Sequence, residues 1–216
     1  MGEIYRACSK IKLIFEQAFK YKNEYMCNYT ICFKGSLILD NLERKLFESY
    51  IDGNVAIKID EFIKSNNIDW TYYLEDSRLL RSEISNIDEF VEKNKIYKIV
   101  GISTPESISK IRNNLPKCTF ENLEITSSEL NRIEFVNKGM TKVKAIELIL
   151  NKLKIDKENV VAIGDGENDI DMIKFAGYGV AMSNSPEIVK ENADIVTKYS
   201  NNEDGVYYVI NELLST

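Results

Sequence analysis

The last third of the chain alternates between helical and strand-like patterns of apolar residues. In residues 141–155, apolar side chains recur at helical spacing, and the short apolar run NVVAIG (159–164) then suits a strand buried on both faces. Helical spacing returns in residues 167–177. The order predicts a parallel sheet covered by helices, with right-handed connections.

The pattern continues to the end of the chain. Two further strands are predicted at 178–182 and 194–198, and a closing helix at 203–214. Between the two strands a helix is expected, with Ser185 as its N-cap and Pro186 at its first position.

The middle of the chain predicts a different, smaller α/β lobe. Its pattern indicates strands at 45–51, 69–76 and 95–103, helices at 54–67 and 105–115, and a hairpin at 121–136. Before it, a helical segment is predicted around residues 5–19, followed by the strand YTICF (29–33).

Composition is that of an ordinary soluble globular protein. Apolar residues make up 44% of the chain and charged residues 29%, with a net charge of −6. No basic surface indicates nucleic acid, no apolar run is long enough for a membrane span, and the N-terminus has no secretory pattern. The four cysteines form no CxxC pair, so we expect reduced thiols and a cytoplasmic location.

The chain contains no histidine, which limits its chemistry. Ser-His-Asp and Cys-His catalysis and every His-ligated metal site are therefore excluded within this chain. Carboxylates, lysines, hydroxyls and hard cations remain.

The stretch DGENDID (165–171) concentrates acidic side chains directly after a predicted buried strand. A calcium loop is disfavoured, because Ile170 and Ala176 stand where glycine and a carboxylate are needed. A solvated turn with helix-capping acids stays open as an interpretation. The position after a parallel strand favours a third one, a ligand site in which Mg²⁺ offsets the repulsion between Asp165 and Asp169. In that site Asn168 can donate a hydrogen bond to a phosphate.

At these residues the sequence resembles the haloacid dehalogenase (HAD) superfamily, in its Cof-like subfamily of sugar-phosphate phosphatases. GDGENDIDM (164–172) resembles the fourth motif, NKGMTKVKAIELIL (137–150) the third, and the sequence between Ala176 and Val206 the region after motif four. The resemblance implies that Asp165 and Asp169 serve a Mg²⁺ ion and that Lys142 and Asn168 contact the substrate phosphate. It assigns catalytic roles to Lys142, Asp165 and Asp169.

The resemblance also implies the architecture and the partner. We expect a Rossmann-like α/β core with a parallel sheet, formed by residues 1–40 and 131–216, and an inserted α/β cap domain at 41–130. The expected partner is a small phosphorylated metabolite, such as a sugar phosphate.

One part of the family pattern is missing. The family's aspartate nucleophile lies in a D-x-D-G-T stretch, and no such stretch occurs in the sequence. We therefore expect an N-terminally shortened Mg²⁺-dependent phosphatase that is inactive alone. A non-catalytic protein that binds phosphorylated metabolites is the alternative, and a globular remnant without an active role is the third hypothesis.

The strand that carries the nucleophile lies beside the motif-four strand in the family. Without it, residues 160–163 are expected to present an unpaired apolar edge, or to be completed by another segment or a second molecule. A homo-oligomer is therefore among the predicted partners.

Overall fold

The computed structural model describes residues 7–9, 27–64, 66, 68–115, 120–126 and 129–214. The chain divides into two compact units, Met1–Thr141 and Lys142–Thr216. The expected grouping of residues 1–40 with 131–216, around a cap at 41–130, stays a prediction.

The first unit contains a four-stranded sheet in the order β1-β2-β3-β4. Its strands are β1 (Ala7–Ser9), β2 (Tyr29–Cys32), β3 (Leu37–Asp40) and β4 (Lys45–Glu48). β1 runs parallel to β2, and the other pairs are antiparallel. The predicted helix around 5–19 is wrong at residues 7–9, because pairing with β2 places them in the sheet. The rest of that helix lies outside the described residues.

The unit also contains a five-stranded antiparallel sheet, in the order β6-β5-β7-β9-β8. Its strands are β5 (Asp69–Tyr73), β6 (Arg78–Leu80), β7 (Lys98–Ile102), β8 (Leu123–Thr126) and β9 (Arg132–Asn137). Three helices belong to the same region: α1 (Gly53–Lys64), α2 (Ile87–Lys93) and α3 (Pro105–Asn114). The predicted strands at 69–76 and 95–103, the two predicted helices and the hairpin are confirmed with bounds that differ by up to three residues, whereas β6 and α2 are absent from the prediction. The strand predicted at 45–51 forms as β4, but it belongs to the four-stranded sheet because it pairs with β3.

Alternation along β5, β7 and β9 sends one set of side chains into an aromatic and aliphatic core. Trp70, Tyr72, Ile99, Ile133 and Phe135 are all buried in one cluster, together with residues of the three helices. Burying a side chain of this size contributes about 1.5–3 kcal/mol. This core therefore provides much of the stability of the unit.

The turn between β2 and β3 is tied to the five-stranded sheet by a buried ion pair. Lys34, whose φ of 60° is left-handed, places its ammonium 3.0 Å from the carboxylate of Glu134 and also donates to the hydroxyl of Thr126. Lys98 lies 3.8 Å from the same carboxylate. The two sheets of the first unit are thus joined by this ion pair and by the stacking of Phe33 on Tyr97.

The second unit alternates helices and strands as the sequence predicts. Its elements are α4 (Lys142–Leu153), β10 (Val161–Gly164), α5 (Ile170–Phe175), β11 (Tyr178–Ala181), α6 (Glu187–Lys190), β12 (Ile195–Val196) and α7 (Gly205–Leu214). The sheet has the order β10-β11-β12, and both pairs are parallel. The predicted α/β fold class with a parallel sheet is confirmed.

Two details of this unit bear on the predictions. The N-cap of α6 is Pro186 and not Ser185, because the helix begins at Glu187 and no side chain caps it. Within the described residues, β10 pairs with β11 on one side only, and Val161 is 42% exposed. The strand thus lies at a sheet edge in the described part of the chain.

The cysteines and the helix lengths relate to the predicted location of the protein. The thiols of Cys27 and Cys32 are buried. No helix in the described ranges is both long and apolar enough to cross a bilayer.

Candidate phosphate and metal site

The acidic loop after β10 is organised around one buried carboxylate, that of Asp169. One oxygen of Asp169, Oδ2, accepts the backbone N–H groups of Asp165 and Gly166, each at 3.2 Å. The other oxygen, Oδ1, pairs with the ammonium of Lys142. Asp165, Glu167 and Asp171 are exposed. The acidic crowding is therefore tolerated because one acid is neutralised inside the loop and the others face solvent.

Gly164 allows the close approach on which this loop depends. A Cβ atom at Gly164 would lie 2.4 Å from the Cβ of Asp169, a distance that real side chains do not adopt. A short 3-10 turn, Glu167–Asp169, then leads directly into α5. Because glycine ends the strand, the loop can fold back and bring Asp169 under its own backbone.

Lys142 is the first residue of α4, where a positive charge is disfavoured by the helix dipole. The ion pair with Asp169 compensates for this position, and both side chains are about nine-tenths buried, at 10% and 8% exposure. Lys142 and the backbone of Asp165 thus meet at the same carboxylate. The predicted residues of motifs three and four are brought together in one cluster.

Asp165 holds its carboxylate at the surface of this cluster. Its Oδ2 accepts a hydrogen bond from the side-chain amide of Asn201 at 2.7 Å. The backbone N–H of Asn201 donates to Oδ1 of Asn184 at 2.9 Å. Asp165, Asn184 and Asn201 follow β10, β11 and β12 respectively, and the carboxyl ends of parallel strands are where open α/β sheets bind ligands.

Asn168 is exposed in the same loop, within the 3-10 turn. Its position leaves the amide accessible, and its predicted contact with phosphate stays a prediction. Asn184 and Asn201 were missed at the sequence level. The signal that could have found them is their place after successive parallel strands.

The donor set can be compared with what Mg²⁺ requires. Within the described ranges, no group of three or more His, Cys, Asp or Glu side chains is placed to hold a metal. Mg²⁺ commonly uses only one or two carboxylates and completes its shell with waters and phosphate oxygens. The exposed carboxylate of Asp165 fits such a site. Both oxygens of Asp169 are already engaged by Lys142 and the loop backbone.

Comparison with known proteins decides the family. The sequence model of the haloacid dehalogenase-like hydrolase family matches residues 6–210 of this chain. The chain belongs to this family. The sequence resemblance to the HAD superfamily is thereby confirmed.

Curated relatives of this HAD chain include phosphatases. A putative phosphatase of Haemophilus influenzae is 28% identical over 201 residues, which cover 86% of this chain and 76% of the relative. The 5-amino-6-(5-phospho-D-ribitylamino)uracil phosphatase YcsE of Bacillus subtilis is 51% identical over 84 residues, covering 39% of this chain and 33% of the relative.

Other relatives are much longer than the matched region. A protein of Arabidopsis thaliana named Endoribonuclease YBEY, chloroplastic, is 35% identical over 124 residues, which cover 57% of this chain and 21% of that protein. The matched region spans 21% of the Arabidopsis thaliana protein and 33% of YcsE. It spans 76% of the Haemophilus influenzae phosphatase.

The fold of this HAD chain is similar to solved structures of the family. A haloacid dehalogenase-like hydrolase of Bacteroides thetaiotaomicron superposes with a TM-score of 0.77 at 25% identity, covering 90% of this chain and 81% of that one. The α/β fold predicted by the resemblance is thus that of a HAD hydrolase.

Proposed function

We propose that the chain provides the phosphate- and Mg²⁺-binding site of a phosphatase that hydrolyses small phosphate monoesters, such as sugar phosphates. One observation carries the proposal: Lys142, the buried Asp169 and the exposed Asp165 lie in a single cluster at the carboxyl end of β10. Two relatives are named as phosphatases, the putative phosphatase of Haemophilus influenzae and YcsE of Bacillus subtilis. Their names support phosphate-ester hydrolysis as the reaction class.

Each residue has a role in this proposal. Asp165 would bind Mg²⁺ through its exposed carboxylate, and the ion would supply charge for a phosphoryl group. Asp169 would support the metal site indirectly. Its carboxylate fixes the backbone N–H groups of Asp165 and Gly166 and the ammonium of Lys142. Lys142 and Asn168 would bind the phosphate oxygens, the lysine by charge and the amide by hydrogen bonding.

A non-catalytic binding protein is the second candidate, and one sequence observation favours it. The chain contains no D-x-D-G-T stretch, so it lacks an aspartate in the family's nucleophile pattern. On this basis we expect the chain by itself to bind Mg²⁺ and phosphate without releasing phosphate from an ester.

Two measurements on the full chain test these proposals. In thermal unfolding, Mg²⁺ with inorganic phosphate should raise the melting temperature of the wild type, and Asp165→Asn should abolish the part that depends on Mg²⁺. In parallel, p-nitrophenyl phosphate with Mg²⁺ should yield no p-nitrophenol. Release of p-nitrophenol would overturn the non-catalytic interpretation. A melting temperature that is indifferent to both ligands would overturn the binding site itself.

A further inference from the structure

The loop after β12, residues 197–204, contributes Asn201 to the candidate site. Thr197 is buried, and its hydroxyl accepts the backbone N–H of Ser183 at 3.1 Å and donates to the carbonyl of Tyr199. The backbone N–H and hydroxyl of Ser200 donate to the carboxylate of Glu203 at 3.0 and 2.7 Å. The loop is therefore bonded both internally and to the turn after β11.

Gly205 closes this loop against the start of α7. A Cβ atom there would lie 2.7 Å from the carbonyl oxygen of Tyr199 and 2.8 Å from that of Ser200. The N–H of Gly205 donates to the carbonyl of Ser200 at 3.1 Å. Close packing at Gly205 therefore restrains the backbone of residues 199–201, which includes Asn201.

Asn201 links three loops at the sheet edge. Its backbone N–H is bound by the side chain of Asn184, and its own side-chain amide donates to Oδ2 of Asp165. Because the amide is neutral, it orients the carboxylate without cancelling its charge. The hydrogen bond engages Oδ2 of Asp165 and so restricts the rotation of its carboxylate.

We infer that Asn201 is a positioning residue that holds the carboxylate of Asp165 in the orientation required for Mg²⁺. The inference rests on the proposed function, in which Asp165 binds the ion. Asn201 acts through Asp165, and Asn184 supports it by fixing its backbone. Hydrogen-bond partners of metal ligands affect metal affinity strongly, since they limit the rotation of the ligand and tune its basicity.

Metal binding, measured without any turnover, tests the inference. Mg²⁺ alone is titrated into the full chain by isothermal titration calorimetry, for the wild type and for Asn201→Ala, Asn184→Ala and Asn202→Ala. Asn202 is the matched control, because it is the same residue type, adjacent and exposed. Asn201→Ala should weaken Mg²⁺ binding about 10-fold or more, the range found for such partners. Asn184→Ala should weaken it less, and Asn202→Ala should bind as the wild type does.

Thermal unfolding without Mg²⁺ separates positioning from a general loss of structure. Since Asn201 is exposed, Asn201→Ala should melt close to the wild type in the metal-free state while losing affinity for the ion. Equal Mg²⁺ affinity of the wild type and Asn201→Ala would overturn the positioning role alone. No Mg²⁺ binding by the wild type would overturn the metal part of the proposed function and the inference with it.

Discussion

At the scale of single residues, the ion pair between Lys142 and Asp169 determines the shape of the acidic loop. Lys142→Met keeps the apolar stem but leaves a buried carboxylate with two backbone N–H donors. Removing one partner of a buried pair typically costs about 3–5 kcal/mol. We expect a loss of this size in the free energy of unfolding, measured by urea denaturation followed by circular dichroism.

A lysine two positions along the same helix provides the control. Lys144 forms an exposed ion pair with Glu147 at 3.4 Å, so Lys144→Met should cost less than about 1 kcal/mol. The double variant Lys142→Met/Asp169→Asn should recover part of the stability, because the buried charge is gone. Equal losses for Lys142→Met and Lys144→Met would contradict the structural role of the pair.

Lys142, Asp165 and Asp169 could be predicted from the sequence, but Asn201, which bonds Asp165, was missed. Lys142, Asp165 and Asp169 occur within motifs whose resemblance to the HAD superfamily implies phosphate and metal chemistry. Asn201 contacts Asp165 across 36 positions and lies among ordinary polar loop residues. Only the order of the parallel strands brings its loop to Asp165, and a local pattern does not contain that information.

At the scale of elements, Glu48 at the end of β4 connects the four-stranded sheet to the start of β7. It accepts hydrogen bonds from the ammonium of Lys95 at 2.7 Å and from the hydroxyl of Tyr97 at 2.8 Å. The bonds from Lys95 and then Tyr97 lower the pKa of Glu48 from 4.5 to about 2, against the opposing effect of burial. Glu48 thus stays ionised in the folded chain at pH values where it is protonated in the unfolded chain.

This shift predicts a pH dependence of stability. Because the folded pKa is the lower one, the stabilisation is fully present above about pH 4.5 and is lost as the pH falls toward 2. The difference in urea midpoint between the wild type and Glu48→Gln should therefore be largest near neutral pH and shrink between pH 4.5 and 3. Glu89→Gln, at an exposed ion pair on α2, is the control, and its urea midpoint should lie close to that of the wild type because exposed pairs contribute about 1 kcal/mol or less. A difference that is constant across this range would contradict the prediction.

Helices and strands could be predicted where strands that follow one another in the sequence are also neighbours in the sheet. β10, β11 and β12 follow one another in sequence and in the sheet, so the apolar periodicity of the last third was sufficient. The local pattern predicts a helix where β1 lies, because the partner strand β2 comes about twenty residues later and sheet pairing overrides local propensity. β6 has three residues, too few for a period to be recognised.

At the scale of the whole molecule, exposed apolar strand edges predict self-association. In the described residues, β10 forms one edge of the three-stranded sheet with Val161 42% exposed, and β12 forms the other with Ile195 and Val196 each 44% exposed. An unpaired edge with apolar side chains is a template for pairing with another chain. A homo-oligomer formed through β10 is therefore our prediction for the purified chain.

Sedimentation velocity over a concentration series measures this association. Val161→Lys places a charge on the edge strand, which natural proteins use to prevent edge pairing, so the oligomer fraction should fall relative to the wild type. Val206→Lys is the matched control, because Val206 is 43% exposed but belongs to the helix α7. If the apolar surface in general drove association, the two variants would behave alike. A decrease confined to Val161→Lys would instead assign the contact to the strand edge, and a wild type that stays monomeric at every concentration would contradict the prediction.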